Sequence, residues 1–172
     1  GPTPSVRVAG SLPPLFGSYR PDLFEAHRAH DIIDPLVDGL APYVDIWLGE
    51  TLGSIVEART VRDALDRSGS AVPLWLSFTL DDHAAAPSLK SGEPVDRAVR
   101  VAADLGAKVV SFNCCQAETI TLAVRVALDS VGDRCSIGGY ANRFVDSHTS
   151  ETKANAGLAT FRDDLSPPEY AD

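Results

Sequence analysis

Two adjacent cysteines, Cys114 and Cys115, directly follow the apolar run at residues 109–112. A thiol at the end of a strand in a reducing compartment is a metal ligand, a nucleophile or a packed thiol, and adjacent cysteines are poorly placed to bridge each other. Cys135 instead opens the next apolar run, so in a parallel sheet it lies at the opposite edge from Cys114, one strand length of about five or six residues at ~3.3 Å each away. Their positions predict that Cys135 is a core residue. For Cys114 they allow either a structural or a functional role.

Glu50 ends another apolar run, where a carboxylate is costly to bury unless it binds something. We therefore predict that Glu50 contacts a ligand, with a solvated rim position or a cap on the helix near Ser54 as alternatives. The four histidines show no HxxxH or HExxH spacing and are predicted to lie on the surface. Residues 81–83 (Asp-Asp-His) are predicted to form a polar turn.

Five short β-rich runs alternate with stretches of helical period. The runs are VRVAG at 6–10, VDIWLGE at 44–50, PLWLSFT at 73–79, KVVSFN at 108–113 and CSIGGY at 135–140. Their starts lie 38, 29, 35 and 27 residues apart, which is typical of consecutive βα units. Apolar stripes at residues 55–65, 95–105 and 120–127 predict helices that pack on a sheet.

Local signals mark where several of these helices begin. Ser54 with Glu57 three residues later forms a capping-box pattern, and Pro94 suits a first helical turn. Residues 23–40 are predicted to form two helical pieces, because Pro35 interrupts the period with Asp34 as a cap. Residues 142–172 show little periodicity and are predicted to be mostly loop.

Repeated βα units imply a parallel sheet with helices outside, and two architectures fit. An open doubly wound sheet is complete with five strands, whereas a (β/α)8 TIM barrel needs eight units and about 250 residues. Both place the ligand site at the carboxyl ends of the strands. At that edge, every run ends in or is followed by polar or thiol-bearing residues, at positions 11, 50–51, 79, 81–82, 113–115 and 142. No run leads into GxGxxG or a Walker loop, so nucleotide-binding open sheets are disfavoured.

Composition narrows the functional class. The formal charge of −9 and pI near 4.8 argue against nucleic acid, and the apolar runs are too short to span a membrane. We expect a cytoplasmic protein with small-molecule substrates. The sequence is compatible with a homo-oligomer. Because the chain starts at Gly1-Pro2 and has no Met, we expect it to be part of a longer protein. Residues 145–172 are expected to be a long loop or poorly ordered tail.

Five segments in order resemble the homocysteine S-methyltransferase family. They are VAGSLPPL at 8–15, DIWLGETLGSIVEA at 45–58, PLWLSFTL at 73–80, VSFNCCQAETI at 110–120 and GGYANRF at 138–144. The resemblance covers most of the chain down to Phe144. It implies that residues 1–172 form a single zinc-dependent (β/α)8 barrel domain that is incomplete at both ends, with about five consecutive units present. Such a barrel moves a methyl group from S-methylmethionine, betaine or a similar donor to the thiol of homocysteine.

The resemblance also implies roles for individual residues. Cys114 matches the family's zinc-ligating cysteine, Glu50 the acidic residue that helps hold the amino acid, and Asn113 and Asn142 positions near the same pocket. Zinc chemistry suits a cysteine, because the metal binds the thiolate and deprotonates a coordinating thiol.

One family feature is missing from this sequence. The family's other two zinc ligands are a Gly-Gly-Cys-Cys pair on its last strand, and no cysteine follows Cys135 here. One thiolate cannot hold a catalytic zinc, so the chain alone is expected to bind zinc weakly or not at all. The alternatives are a non-catalytic or truncated barrel homologue with a binding or assembly role, and an unrelated cysteine-dependent α/β enzyme.

Overall fold

A computed structural model describes residues 6–145 and 160–171 of the chain. Within them, five β-strands alternate with α-helices in the order that the sequence predicts. The strands are β1 Ala9–Leu12, β2 Ile46–Leu52, β3 Leu74–Phe78, β4 Val109–Asn113 and β5 Ser136–Tyr140. The helices are α1 Ala26–Leu40, α2 Ile55–Arg67, α3 Val95–Asp104, α4 Ala117–Val131 and α5 Pro167–Ala171. No helix of the described ranges is long and apolar enough to span a bilayer.

Strand β1 begins three residues later than the run predicted at 6–10. The carbonyl of Val8 accepts hydrogen bonds from the Asp45 and Ile46 amides, while its own amide donates to the Asp45 carboxylate. Val6 is 90% exposed and Val8 is half exposed. The apolar residues before Ala9 therefore predicted a strand that begins too early. Regular pairing with β2 begins at Ala9.

Helix α1 runs unbroken through Pro35, so the prediction of two helical pieces is wrong. Ala29, Ile33 and Val37 bury one face of the helix on both sides of the proline. Pro35 itself lies on the exposed side, where the carbonyl that it leaves unpaired, that of Asp31, can reach water. Packing of the buried face therefore outweighs the lost backbone hydrogen bond.

The predicted start of α2 is confirmed. Ser54 is the N-cap, and its Oγ accepts a hydrogen bond from the Glu57 amide. The buried Glu57 carboxylate accepts from the Gly53 amide and from Ser54 Oγ, and Glu93 accepts from the Ile55 amide. Burial raises the pKa of Glu57 above its usual range.

We expect Glu57→Gln to gain stability relative to the native chain as the pH rises from about 4 to about 7. The folded-state pKa of Glu57 is raised, so its contribution is complete below the unfolded pKa and is lost as the pH rises through the folded value. Gln keeps the acceptor but cannot ionise. The check is the difference in Tm between variant and native chain across this window.

Glu118→Gln is the control of opposite sign, because Arg162 lowers the pKa of Glu118. Its contribution is present above the unfolded pKa and is lost as the pH falls through the folded one. A Glu57→Gln difference in Tm that stays constant with pH would contradict the assignment.

All five strands are parallel and follow one another in space in chain order, β1-β2-β3-β4-β5. Consecutive helices contact each other, α1 with α2, α2 with α3 and α3 with α4, so they cover one side of the sheet. A doubly wound sheet has helices on both faces, and the open-sheet alternative is therefore wrong.

The sheet is curved as in a barrel. In a flat sheet β2 and β5 would lie about 14 Å apart, three steps of ~4.8 Å. Tyr140 of β5 nevertheless donates a hydrogen bond to Glu50 of β2 at 2.9 Å, across the face that α1 to α4 leave uncovered. The chain thus forms an arc of five consecutive units of a (β/α) barrel, with the helices on its convex side.

Two glycines show which side chains face the helices. A Cβ on Gly49 would lie 2.9 Å from Leu76, and one on Gly139 would lie 2.6 Å from Ile120 of α4. These positions therefore need glycine for close packing on the convex side. Because side chains alternate along a strand, their neighbours Glu50 and Tyr140 project from the concave side.

The end of the described chain returns to the end of β5. Phe144 and Phe161 form a backbone bridge with stacked rings, and Arg162 binds Glu118 at the start of α4. The short helix α5 lies within the segment predicted to be mostly loop, and Tyr170 donates to the Ala141 carbonyl. The rest of the predicted tail, residues 146–159 and 172, lies outside the described residues.

Candidate functional site

The carboxyl ends of the strands carry a row of polar side chains on the concave side. Each strand contributes one, namely Ser11, Glu50, Ser77, Asn113 and Tyr140. Thr51 and Cys114 follow two of these positions. Polar groups at this edge of a barrel are where ligands bind, whereas those at the opposite edge contribute to stability.

Glu50 is held from both sides. Ser11 Oγ donates to its Oε2 at 2.8 Å and Tyr140 Oη donates to its Oε1 at 2.9 Å. Burial raises the pKa of Tyr140 to about 12, and the hydrogen bond to Glu50 adds to this shift. The phenol is therefore a proton donor at neutral pH, and two neutral hydroxyls fix the carboxylate without cancelling its charge.

Cys114 lies at the end of a hydrogen-bond chain that begins in the sheet. Ser77 Oγ donates to Asn113 Oδ1 at 2.7 Å, and Asn113 Nδ2 donates to Cys114 Sγ at 3.0 Å and to Thr51 Oγ1 at 2.8 Å. Asn113 is only 1% exposed. Ser77 thus fixes the Asn113 amide so that its N–H donors point at the sulfur and at the Thr51 hydroxyl.

The backbone around the thiol is unusual. Thr51, Cys114 and Tyr19 have φ values of 62°, 57° and 63°. Such left-handed conformations are uncommon outside glycine, and for a β-branched residue such as Thr51 they are costly. Burial, and then a hydrogen bond with Cys114, raise the pKa of Tyr19, so this phenol from the β1–α1 loop also lies beside the sulfur. The strain accompanies side chains that converge on Cys114.

The other two cysteines have different surroundings. Cys115 is 1% exposed, its thiol donates to the Asn113 carbonyl, and burial raises its pKa to about 12. It therefore stays protonated and is poorly suited to act as a nucleophile. Cys135 precedes β5 at the opposite edge of the sheet, and its side chain packs against the core. Of the three, Cys114 alone lies at the ligand edge with part of its surface accessible.

The structure brings three of the four predicted site residues together. Asn113 and Cys114 both contact the Thr51 hydroxyl, at 2.8 Å and 3.9 Å, and Glu50 directly precedes Thr51 in β2. Asn142 follows β5, and its backbone N–H donates a hydrogen bond to the Cys115 carbonyl at 2.9 Å. This bond holds Asn142 at the same edge of the sheet. Substrate contact by these residues stays a prediction, and Asn113 uses its amide for Ser77, Thr51 and Cys114.

Sequence reasoning missed Ser77, Tyr140 and Tyr19 at this site. Ser77 falls inside a run predicted to be a strand and Tyr140 is the last residue of another, and at such positions only alternation between the two faces distinguishes site residues from core. That signal was available, since Ser77 stands between the apolar Leu76 and Phe78. Tyr19 belongs to a loop, and nothing in its spacing places it near Cys114.

Few side chains at this edge could serve as metal ligands. Among the described residues, no group of three or more His, Cys, Asp or Glu side chains could hold a metal ion. Around Cys114 Sγ the polar partners are the Asn113 amide and the hydroxyls of Thr51 and Tyr19. A catalytic zinc site uses three protein ligands, and the described residues offer one.

Comparison with solved structures supports the barrel assignment. The chain superposes on the homocysteine methyltransferase MmuM from Escherichia coli in its metallated, apo and oxidized forms, with TM-scores of 0.67, 0.64 and 0.65. Each alignment has 20% identity and covers 81% of this chain, and the chain spans 58%, 59% and 57% of the respective structures. At this identity the likeness shows the fold, and the arc corresponds to part of a larger barrel.

Sequence comparison assigns the family. No curated protein matches the chain. A sequence model described as homocysteine S-methyltransferase matches residues 2–171, in agreement with the five segments that resemble this family. Since this match spans nearly the whole sequence and the curved sheet brings Glu50 and Cys114 to one edge, the chain belongs to the homocysteine S-methyltransferase family.

Proposed function

We propose that the protein carrying this chain transfers a methyl group from a donor such as S-methylmethionine or betaine to the thiol of homocysteine, giving methionine. The observation that carries the proposal is the pairing, at one edge of the arc, of a fixed carboxylate with an accessible cysteine surrounded by hydrogen-bond donors. The carboxylate suits the ammonium group of an amino acid, and the cysteine belongs to the part of the site where the sulfur reacts.

The proposed roles follow from the contacts. Glu50 accepts a hydrogen bond from the substrate ammonium, since its two oxygens use only one lone pair each for Ser11 and Tyr140. Asn113 orients Cys114, and Asn142 lines the pocket. This chain thereby contributes mainly positioning, which brings the substrate sulfur and the donor methyl group into line.

Zinc does not fit the described residues as a complete site. Cys114 is a suitable thiolate ligand, but the groups beside it are an amide and hydroxyls rather than further Cys, His or carboxylate ligands. We propose that Cys114 is the one zinc ligand of this 172-residue chain and that the remaining ligands are supplied from outside it. Zinc, when bound by such a protein, would hold the homocysteine sulfur as a thiolate.

The purified 172-residue chain is therefore expected to retain much less than one equivalent of zinc after dialysis. One thiolate supplies too little binding free energy for a stable site. Elemental analysis of the native chain and of Cys114→Ser checks this, and the two should have similarly low zinc contents. One tightly held equivalent that disappears in Cys114→Ser would contradict the prediction.

The methyl-transfer proposal is tested by incubating the protein that carries this chain with homocysteine and each donor class, and measuring methionine by mass spectrometry. We expect methionine with at least one donor and none without homocysteine. A correctly folded protein that binds zinc but methylates no thiol would overturn the proposal.

The incomplete donor set specifically favours one other function, a non-catalytic homologue that uses the barrel for binding or assembly. This alternative predicts homocysteine binding without methionine formation in the same assay. A small-molecule partner, self-association and a cytoplasmic location remain parts of the main proposal. Sedimentation of the purified protein tests self-association.

A further inference from the structure

We propose that Tyr140, assisted by Ser11, is a positioning residue that aims the Glu50 carboxylate and thereby makes the site selective for thiols that carry an α-ammonium group. This inference rests on the proposed methyl transfer to homocysteine. It adds the source of selectivity and a residue that no sequence pattern singled out.

The geometry of the carboxylate is the first support. Ser11 comes from the neighbouring strand β1, and Tyr140 reaches across the concave face from β5. Each hydroxyl binds a different carboxylate oxygen, so rotation of the Glu50 side chain would break one bond or the other. A carboxylate has about four lone-pair positions, and these two bonds leave about half of them free.

The charge of the carboxylate is the second support. Both partners of Glu50 are neutral hydroxyls, and within residues 6–145 and 160–171 the ion pairs of Lys and Arg side chains go to other carboxylates. A fixed, partly desolvated carboxylate without a counter-ion attracts a cationic donor. An ammonium group satisfies it by charge and by N–H hydrogen bonds, which are stronger when both partners are ionised.

The position of Tyr140 is the third support. Tyr140 pairs with Asn113 in the register of β4 and β5, and the Asn113 side chain donates a hydrogen bond to Cys114 Sγ. The phenol thus spans the gap between the carboxylate and the cysteine end of the site. A substrate with an ammonium at one end and a thiol at the other, separated by a short carbon chain, matches that layout.

The test compares two thiols that differ only in the amino group, homocysteine and γ-mercaptobutyrate. Their dissociation constants are measured by calorimetry on the protein that carries this chain, without a methyl donor. We expect the native protein to bind homocysteine at least tenfold more tightly, since the amino-free thiol leaves Glu50 unpaired. Tyr140→Phe should weaken homocysteine binding by roughly five- to tenfold and leave γ-mercaptobutyrate binding within about twofold.

Tyr170→Phe is the matched control, because Tyr170 also donates a single hydrogen bond near the end of β5, to the Ala141 carbonyl, and does not contact Glu50. It should leave both dissociation constants unchanged. Ser11→Ala should reproduce the Tyr140→Phe pattern. The affinity for γ-mercaptobutyrate in each variant serves as a check that the site is folded.

Distinct outcomes overturn the inference. Equal weakening of both thiols by Tyr140→Phe would show a merely structural role, and equal binding of the two thiols by the native protein would show that Glu50 does not read the ammonium. Either result, with methionine still formed, leaves the methyl-transfer proposal standing. A native protein that binds neither thiol removes the proposed function and this inference with it.

Discussion

Replacing Cys114 with Ser is expected to reduce methionine formation by the protein that carries this chain at least about a hundredfold. Asn113, Thr51 and Tyr19 all direct polar groups at this sulfur, and an alcohol at the same position is neither a thiolate nor a comparable zinc ligand. The loss should appear in kcat/KM measured with saturating methyl donor. Protein stability should change little, because Cys114 is not part of the buried core.

The chain offers a matched control for this substitution in Cys135→Ser. Cys135 precedes β5 at the other edge of the sheet, so Cys135→Ser should leave the activity near the native level. A Cys114→Ser variant that keeps more than half of the activity would exclude a role in the reaction, whether as zinc ligand or as nucleophile. Cys115 gives no alternative explanation, since burial keeps its thiol protonated.

Much of the fold follows from short-range patterns. The runs that became β2 to β5 combine apolar period with turn residues, and Ser54 with Glu57 marks the start of α2. Both signals depend on local backbone energetics, so they survive without tertiary information. They were misleading where tertiary contacts determine the length of an element. At Pro35, packing of the buried face of α1 stabilises the helix on both sides of the proline.

The choice between barrel and open sheet is a question of curvature, which no local pattern contains. Strand order and the helix-free concave side follow from packing of each βα unit on the next. The resemblance to a barrel family supplied the right answer, whereas length alone favoured five strands as a complete sheet. The bond between Tyr140 and Glu50 connects strands separated by 90 residues, a contact that spacing cannot reveal.

The candidate site divides in the same way. Glu50 and Cys114 stand at the ends of apolar runs, where polar residues are conspicuous, and both were predicted. Ser77 stands within a run, and Tyr140 ends one but is an aromatic residue typical of strands, so both were assigned to the sheet and not to the site. Their importance comes from which face they project from, and this depends on register rather than on composition.

The two faces of the sheet should also differ in energetic weight, and this gives the second large expected effect. Phe112→Ala is expected to destabilise the chain by about 3–5 kcal/mol, because Phe112 is fully buried in the core between the sheet and the helices. Trp75→Ala removes a larger side chain but should cost no more than about 2 kcal/mol, because Trp75 faces the concave side and is only partly buried.

Urea unfolding of both variants beside the native chain measures the contrast. The contrast is informative because Trp75→Ala would cost as much as Phe112→Ala if the concave side were covered, since truncating a buried Trp costs as much as truncating a buried Phe. A Trp75→Ala loss equal to that of Phe112→Ala would contradict an open concave face in the isolated chain. A small loss would mean that the helix side alone stabilises the arc, and that the edge bearing Glu50 and Cys114 depends on it for its shape.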